Sequence, residues 1–327
     1  MSSAAVPVRA DCIPSRALRQ FSWGVLAYFI AVILWGTVVR ATGAGAGCGD
    51  HWPLCNGTVI QHSPTVDAMI EFAHRVTSGI SFFAVVALAA WSFAATARGH
   101  LARHFAVSAV VFTLIEAAIG ALLVKLGLTA ESQSPLRAPY LALHLTNTLL
   151  LIAALALTAH MLGRRVGYMR GSIRWAKPGS ALVCLVAVLI VGVTGSLAAL
   201  GDTLFPAQSL SAAMAQDFSS KSAWLIRWRW THPTIAVIAS VFFLWLVARA
   251  MKNSIHWNNR GLALLVLILL AVQYALGTID ILALAPVWLQ VVHLLGADLL
   301  WTALIVLAAR LTLEPKEAVQ PVDKLVA

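Results

Sequence analysis

Four histidines carry the strongest chemical signal in this chain: His74, His144, His232 and His293. Each stands inside an apolar run, near one end of it, where an imidazole is costly unless it has a partner. The other six, His51, His62, His100, His104, His160 and His256, fall in loops or at run edges. Pairs of histidines on adjacent helices of a four-helix bundle are what a bis-histidine haem requires, with iron held between two ring nitrogens. The same placement also fits plain interhelical hydrogen bonding. A tetrahedral zinc site fits less well, because clustered Cys, His and carboxylate ligands are missing around these positions. One further group stands out, Glu71, three residues before His74 and so one turn away on the same helical face.

The elements that position these groups follow from composition. Of 327 residues 60% are hydrophobic and only 11% charged, which excludes an ordinary soluble domain. Apolar runs long enough to cross a bilayer occur at about 21–41, 68–95, 104–126, 139–161, 179–200, 230–250, 260–283 and 288–310. Sixteen of the 23 Lys and Arg residues fall on the side of the N-terminus, so both termini are expected to be cytoplasmic. That bias accounts for the net charge of +10 without nucleic acid. The first run lacks a small-residue cleavage site and is read as a retained helix. The four histidines then lie at one depth, roughly 8 Å below the outer surface.

The runs form two halves of one plan. A basic linker, GRRVGYMRGSIRWAK (163–177), separates them. IEAAIGALLVKLGL (115–128) aligns with VQYALGTIDILALA (272–285), setting Glu116 on Gln273 and Gly120 on Gly277. EFAHRVTSG aligns with RWTHPTIAV, setting His74 on His232, and YLALHLTNTLLL (140–151) aligns with WLQVVHLLGADLLW (288–301), setting His144 on His293. The weakest match, TGAGAGCGDHWP (42–53) with TGSLAALGDTLFP (194–206), joins the first helices. The expected fold is an all-α integral membrane protein of eight transmembrane helices in two pseudo-symmetric four-helix bundles. Its segments are an N-terminal tail (1–20), a first bundle (21–162), a linker (163–178), a second bundle (179–312) and a C-terminal tail (313–327).

GTVVRATGAGAGCGDHWPLCNG, followed by EFAHRVTSG and single histidines on helices four, six and eight, resembles the haem A synthase family along essentially the whole chain. The resemblance implies a cell-membrane oxidoreductase that converts the C8 methyl of haem O to the formyl group of haem A by successive hydroxylations. It implies a haem b cofactor ligated by His232 and His293, with His74 and His144 serving the substrate haem O. Haem O synthase and terminal oxidase assembly factors become expected partners, beside lipid and further copies of the chain. The residues support an asymmetry independently. At the position of Glu71 the second half carries Arg229, so one half alone sets a carboxylate beside its haem, where it can move protons. Glu71 also fits a helix N-terminal acid favoured by the macrodipole.

Cys48 and Cys55, in CGDHWPLC, resemble the loop pair of one branch of the family, where it can form a disulfide with a redox or substrate-handling role; a structural staple fits equally. Cys12 falls in the N-terminal tail and Cys184 in the fifth helix. Arg40, Arg75, Arg227 and Arg229 lie near the outer boundary, as partners for haem propionates or as interfacial anchors. Trp23, Trp52, Trp224 and Trp288 read as belt anchors. Glu116, where the family pattern leads one to expect glutamine, must be protonated, hydrogen-bonded or near water. The competing function is a non-catalytic di-haem cytochrome b relay, which has no need of Glu71.

Overall fold

The computed structural model describes residues 14–58, 63–163, 173–175, 178–252 and 257–315. Cys12, His62, His256, most of the linker and the C-terminal tail beyond 315 lie outside the described residues. Eight helices are long and apolar enough to cross a membrane. They are α1 (Arg16–Ala41), α2 (Val66–Ala95), α3 (Leu101–Lys125), α4 (Arg137–Leu162), α5 (Pro178–Leu204), α8 (Thr231–Lys252), α9 (Trp257–Leu282) and α10 (Val287–Thr312). Two short helices, α6 (Leu210–Phe218) and α7 (Trp224–Trp228), stand between α5 and α8. The helix starts are written locally: the Ser15 hydroxyl accepts from the Leu18 N–H at α1, and the Thr65 hydroxyl from the Ala68 N–H at α2.

Each half closes into a ring of antiparallel neighbours. α1 packs on α2, α2 on α3, α3 on α4 and α4 back on α1; α5, α8, α9 and α10 repeat the ring. The halves meet where α4 touches α10, with α4 also against α5 and α10 against α1, the pattern a pseudo-twofold axis imposes. α4 and α10 are therefore the central helices: in the 18-residue apolar stretch of each, 56% of residues are buried, against 11% in that of α9. Apolar side chains such as Phe83, Leu182 and Val241 face outward at 71%, 61% and 64% exposure, which only a lipid surround makes comfortable.

α4 and α10 share one buried cluster, in which Ala154 and Ala156 of α4 and Ala309 of α10 are small residues that let backbones approach. Trp301 fills the gap these leave and donates its indole N–H to the Leu149 carbonyl at 2.7 Å. Arg40 adds a polar tie across the same seam. Its guanidinium donates to the Ala199 carbonyl (3.0 Å) and Thr203 hydroxyl (2.8 Å) of α5 and to Gln290 Oε1 (2.7 Å) of α10.

The all-α fold of eight spans expected from the sequence is found, with a short addition in which Ile173–Trp175 pairs antiparallel with Leu313–Pro315 after α10. Two features depart from the sequence reading. The segment between α5 and α8 carries the unforeseen α6, whose nine residues are too short to register as an apolar run. The paired histidines sit on diagonally opposed helices, α2 with α4 and α8 with α10, rather than adjacent ones, because consecutive helices close each ring in order.

Candidate haem sites

The second-half pair is the more regular. His232 on α8 and His293 on α10 have ring centroids 6.4 Å apart with planes at 88°. Two metal–imidazole bonds of about 2 Å each and the two ring half-widths fill that gap. His232 Nδ1 lies 3.2 Å from the Val191 carbonyl and 3.4 Å from the Thr194 hydroxyl, so donation from Nδ1 leaves Nε2 with its lone pair free for a metal. His293 Nδ1 is buried without a hydrogen-bond partner among the described residues.

The other two helices of the ring supply the space. A Cβ on Gly195 of α5 would stand 2.9 Å from His232 Cε1, and one on Gly277 of α9 would stand 3.2 Å from His293 Cε1. The first half repeats this. A Cβ on Gly36 of α1 would meet His74 Cε1 at 3.0 Å, and one on Gly120 of α3 would lie 4.0 Å from His144 Cε1. Histidines on one diagonal and glycines on the other make two matched cradles, and both donor sets fit a flat macrocycle with two axial nitrogens. The cradles also correct the weakest repeat match. Alignment from Thr42 and Thr194 sets Gly43 against Gly195, but the residue that faces its histidine as Gly195 does is Gly36, two turns earlier. Among the described residues no group of three or more His, Cys, Asp and Glu gathers as a metal cage.

The halves differ in what surrounds the cradle. In the first, Glu71 is buried at 3% exposure; Oε2 accepts from the Cys48 backbone N–H at 2.8 Å and Oε1 from Arg75 at 2.5 Å. Arg75 also donates to the carbonyls of His51 and Leu54, both at 2.5 Å. Cys48 and Cys55 form a disulfide and are themselves fully buried. The loop thus rests on the start of α2. Gly47 is obligatory there, since a Cβ would lie 2.4 Å from the Ala68 nitrogen. In the second half Arg229 is held by Asp202 of α5 at 2.6 Å and Asp217 of α6 at 2.7 Å. Arg227 is exposed on α7.

Glu116 is hydrogen-bonded, one of the states its depth allowed. Asn147 Nδ2 donates to it at 2.5 Å and the Thr148 hydroxyl donates to Oε1, while His144 Nδ1 lies 3.4 Å from Oε1. Sequence reasoning missed the glycine cradles, the Arg40 tie and Asp298. The last is fully buried on α10 with neither carboxyl oxygen hydrogen-bonded among the described residues. A glycine on each odd-numbered helix of a histidine-bearing repeat was the available signal for the cradles.

Residues 19–305 match the COX15-CtaA family, cytochrome oxidase assembly protein. The chain is 40% identical over 294 residues to the "Protoheme IX farnesyltransferase" of two Thermus thermophilus strains, an alignment covering 89% of this chain and 48% of each relative. It spans about half the length of those curated relatives. It is 25% identical over 293 residues to the "Heme A synthase" of Geobacillus kaustophilus, covering 85% of this chain and 86% of that one. It is 42% identical over 106 residues to the "Heme A synthase" of an Exiguobacterium species, covering 32% and 35%. Eight spans in two repeated bundles, paired histidines and a match over most of its length together establish that the chain belongs to the COX15-CtaA family, the haem A synthase family.

Proposed function

We propose that the chain is a haem A synthase of the cell membrane, oxidising the C8 methyl of haem O to a formyl group by successive hydroxylations. The observation that carries this reading is a difference between two cradles built on one plan. Both have a diagonal histidine pair faced by glycines, and only the first has a buried acid, Glu71, one turn from its histidine. A relay through two equivalent haems gives no reason for that asymmetry.

In this reading His232 and His293 hold haem b, with the Val191 carbonyl fixing the His232 tautomer. Haem b, when bound, supplies reversible one-electron transfer. His74 and His144 position haem O as substrate. Glu71 holds or moves a proton at its carboxylate beside the reacting face. Arg75 and the Cys48 N–H keep that carboxylate in place, and the disulfide loop screens it from water. The propionates are assigned to Arg40, Arg75, Arg227 and Arg229. Arg227 is exposed, while the other three would exchange a carbonyl, amide or carboxylate partner for a propionate. The positive-inside bias puts both termini in the cytoplasm and the cradles toward the outer face. Haem O synthase is the natural partner, since it makes the substrate; the Thermus relatives bear the name of a protohaem farnesyltransferase.

The test is pigment extraction after co-expression with a haem O supply. Haem A is expected in the extract beside haem b. Haem b without haem A under that supply supports the relay instead, and a protein that carries no haem overturns both.

A further inference from the structure

Gln273, the repeat partner of Glu116, faces its histidine quite differently. Its Nε2 donates to the His293 backbone carbonyl at 3.0 Å, and it occupies space beside Gly296, where a Cβ would lie 3.0 Å away. The ring nitrogen His293 Nδ1 is left without a partner among the described residues. In the first half the same register sets Asn147 on Gly296 and Thr148 on Ala297. Both side chains donate to the Glu116 carboxylate, and both are buried. Three positions therefore differ together. The first half has an acid and two donors to hold it, whereas the second has an amide, a glycine and an alanine.

The consequence falls on His144. Its Nδ1 is buried and lies 3.4 Å from Glu116 Oε1, an ion-pair distance slightly long for a good hydrogen bond. Polar contacts of this kind are often loose in unliganded sites and tighten on loading. Asn147 and Thr148 orient the carboxylate, so it is pre-set to accept from the ring without reorganising.

We propose that Glu116 is a positioning residue for the first-half haem site: held by Asn147 and Thr148, it accepts the His144 Nδ1–H, fixes that tautomer and presents Nε2 to the haem iron as a more basic ligand. This rests on the reading of His74 and His144 as a haem site. It goes further by making the two haems unequal in axial-ligand basicity, the acid-backed histidine lying in the half that also carries Glu71. Removing such an outer partner typically weakens metal binding about 10–100-fold.

The experiment uses the full chain in lipid nanodiscs. 15N-histidine NMR of haem-free protein reads the His144 tautomer, its signal identified by loss in His144→Ala. Ferric protohaem titrated into a His232→Ala/His293→Ala background reads the first-half site alone. With native Glu116, the Nδ1-protonated tautomer is expected. Glu116→Ala should lose that tautomer and bind ferric protohaem at least about tenfold more weakly, and Glu116→Gln, which fills the same space, should recover part of both. An unchanged tautomer in Glu116→Ala and Glu116→Gln overturns the inference, as does unchanged haem affinity in both. If the background protein with native Glu116 binds no ferric protohaem, the first-half haem site itself falls and the inference with it. Haem binding that ignores Glu116 sinks the inference alone.

Discussion

The Glu71 carboxylate accepts the backbone N–H of Cys48 at 2.8 Å, tying the acid of the first-half cradle to the disulfide of the loop that covers it. The loop and the acid are therefore held to each other. A change in either is transmitted to the other through one hydrogen bond and the shared partner Arg75, which reaches both Glu71 and the loop carbonyls.

Breaking the cross-link should act through this tie. A disulfide typically contributes about 2–4 kcal/mol by restricting the open chain, and here that restraint is spent on holding Cys48 over Glu71. The Cys48→Ser/Cys55→Ser protein is expected to retain its second-half haem b spectrum and to lose most haem A in the pigment extract. Gly47→Ala should reproduce the loss with the cysteines intact, because its Cβ would collide with the start of α2. Full product yield from both variants would uncouple the loop from the chemistry.

Glu71 itself separates enzyme from relay. Glu71→Ala removes the carboxylate and leaves Arg75 among carbonyls, away from the second-half cradle. Haem A formation should fall by about 10²–10⁴-fold, the range for losing a positioned acid or base, while haem b content stays within error of the native protein. Unaffected product formation would remove Glu71 from the mechanism.

The glycine cradles predict site-selective damage. Gly195→Ala would place a methyl 2.9 Å from His232 Cε1, and Gly277→Ala one 3.2 Å from His293 Cε1, so both should reduce bound haem b in optical spectra. Gly36→Ala, 3.0 Å from His74, should spare haem b and reduce haem A formation. Gly24 on the same helix has nothing within 4 Å of its would-be Cβ and serves as the neutral control.

These cradles show where sequence reading ends. The eight spans were legible because runs of about 20 apolar residues have few other uses, and the histidine pairs because an imidazole in such a run stands out. The partner glycines were not. Gly36 faces His74 across two helices, a relation set by ring closure and helix rotation, and the similar strings TGAG and TGSL drew the alignment to Gly43 instead. Arg40 was placed at the boundary from its position on α1. Its reach to Gln290 on α10 depends on how the halves dock, and its repeat position is filled by Ala199, so no internal comparison pointed to it. The α6 helix carries Asp217, which clamps Arg229, in a segment too short and too mixed in polarity to stand out from a loop.

The Arg40 tie predicts a stability effect in the haem-free protein, separate from its assignment to a propionate. Arg40→Met keeps the apolar stem and removes three hydrogen bonds that join α1 to α5 and α10. Hydrogen bonds to charged groups are worth about 1.5–3 kcal/mol each at most, so a clear fall in the thermal midpoint of the detergent-solubilised protein is expected. Its size should exceed that of Arg227→Met on the exposed α7 surface. Equal midpoints would show that these three hydrogen bonds add nothing to the joining of the halves.

Asp298 makes the opposite prediction. It is fully buried on a central helix, its two carboxyl oxygens have no hydrogen-bond partner among the described residues, and its repeat position holds Leu149. An unsatisfied buried polar group costs about 1–3 kcal/mol, so this position runs against stability in the protein without haem. Asp298→Asn retains the shape and reduces the desolvation penalty, and Asp298→Leu copies the first half at some cost in crowding. The asparagine variant at least should raise the thermal midpoint of the haem-free protein. If both variants lower the midpoint, the carboxyl has a stabilising partner in the membrane-embedded protein; if they raise it yet reduce haem A formation, Asp298 is retained for the reaction at the expense of the fold.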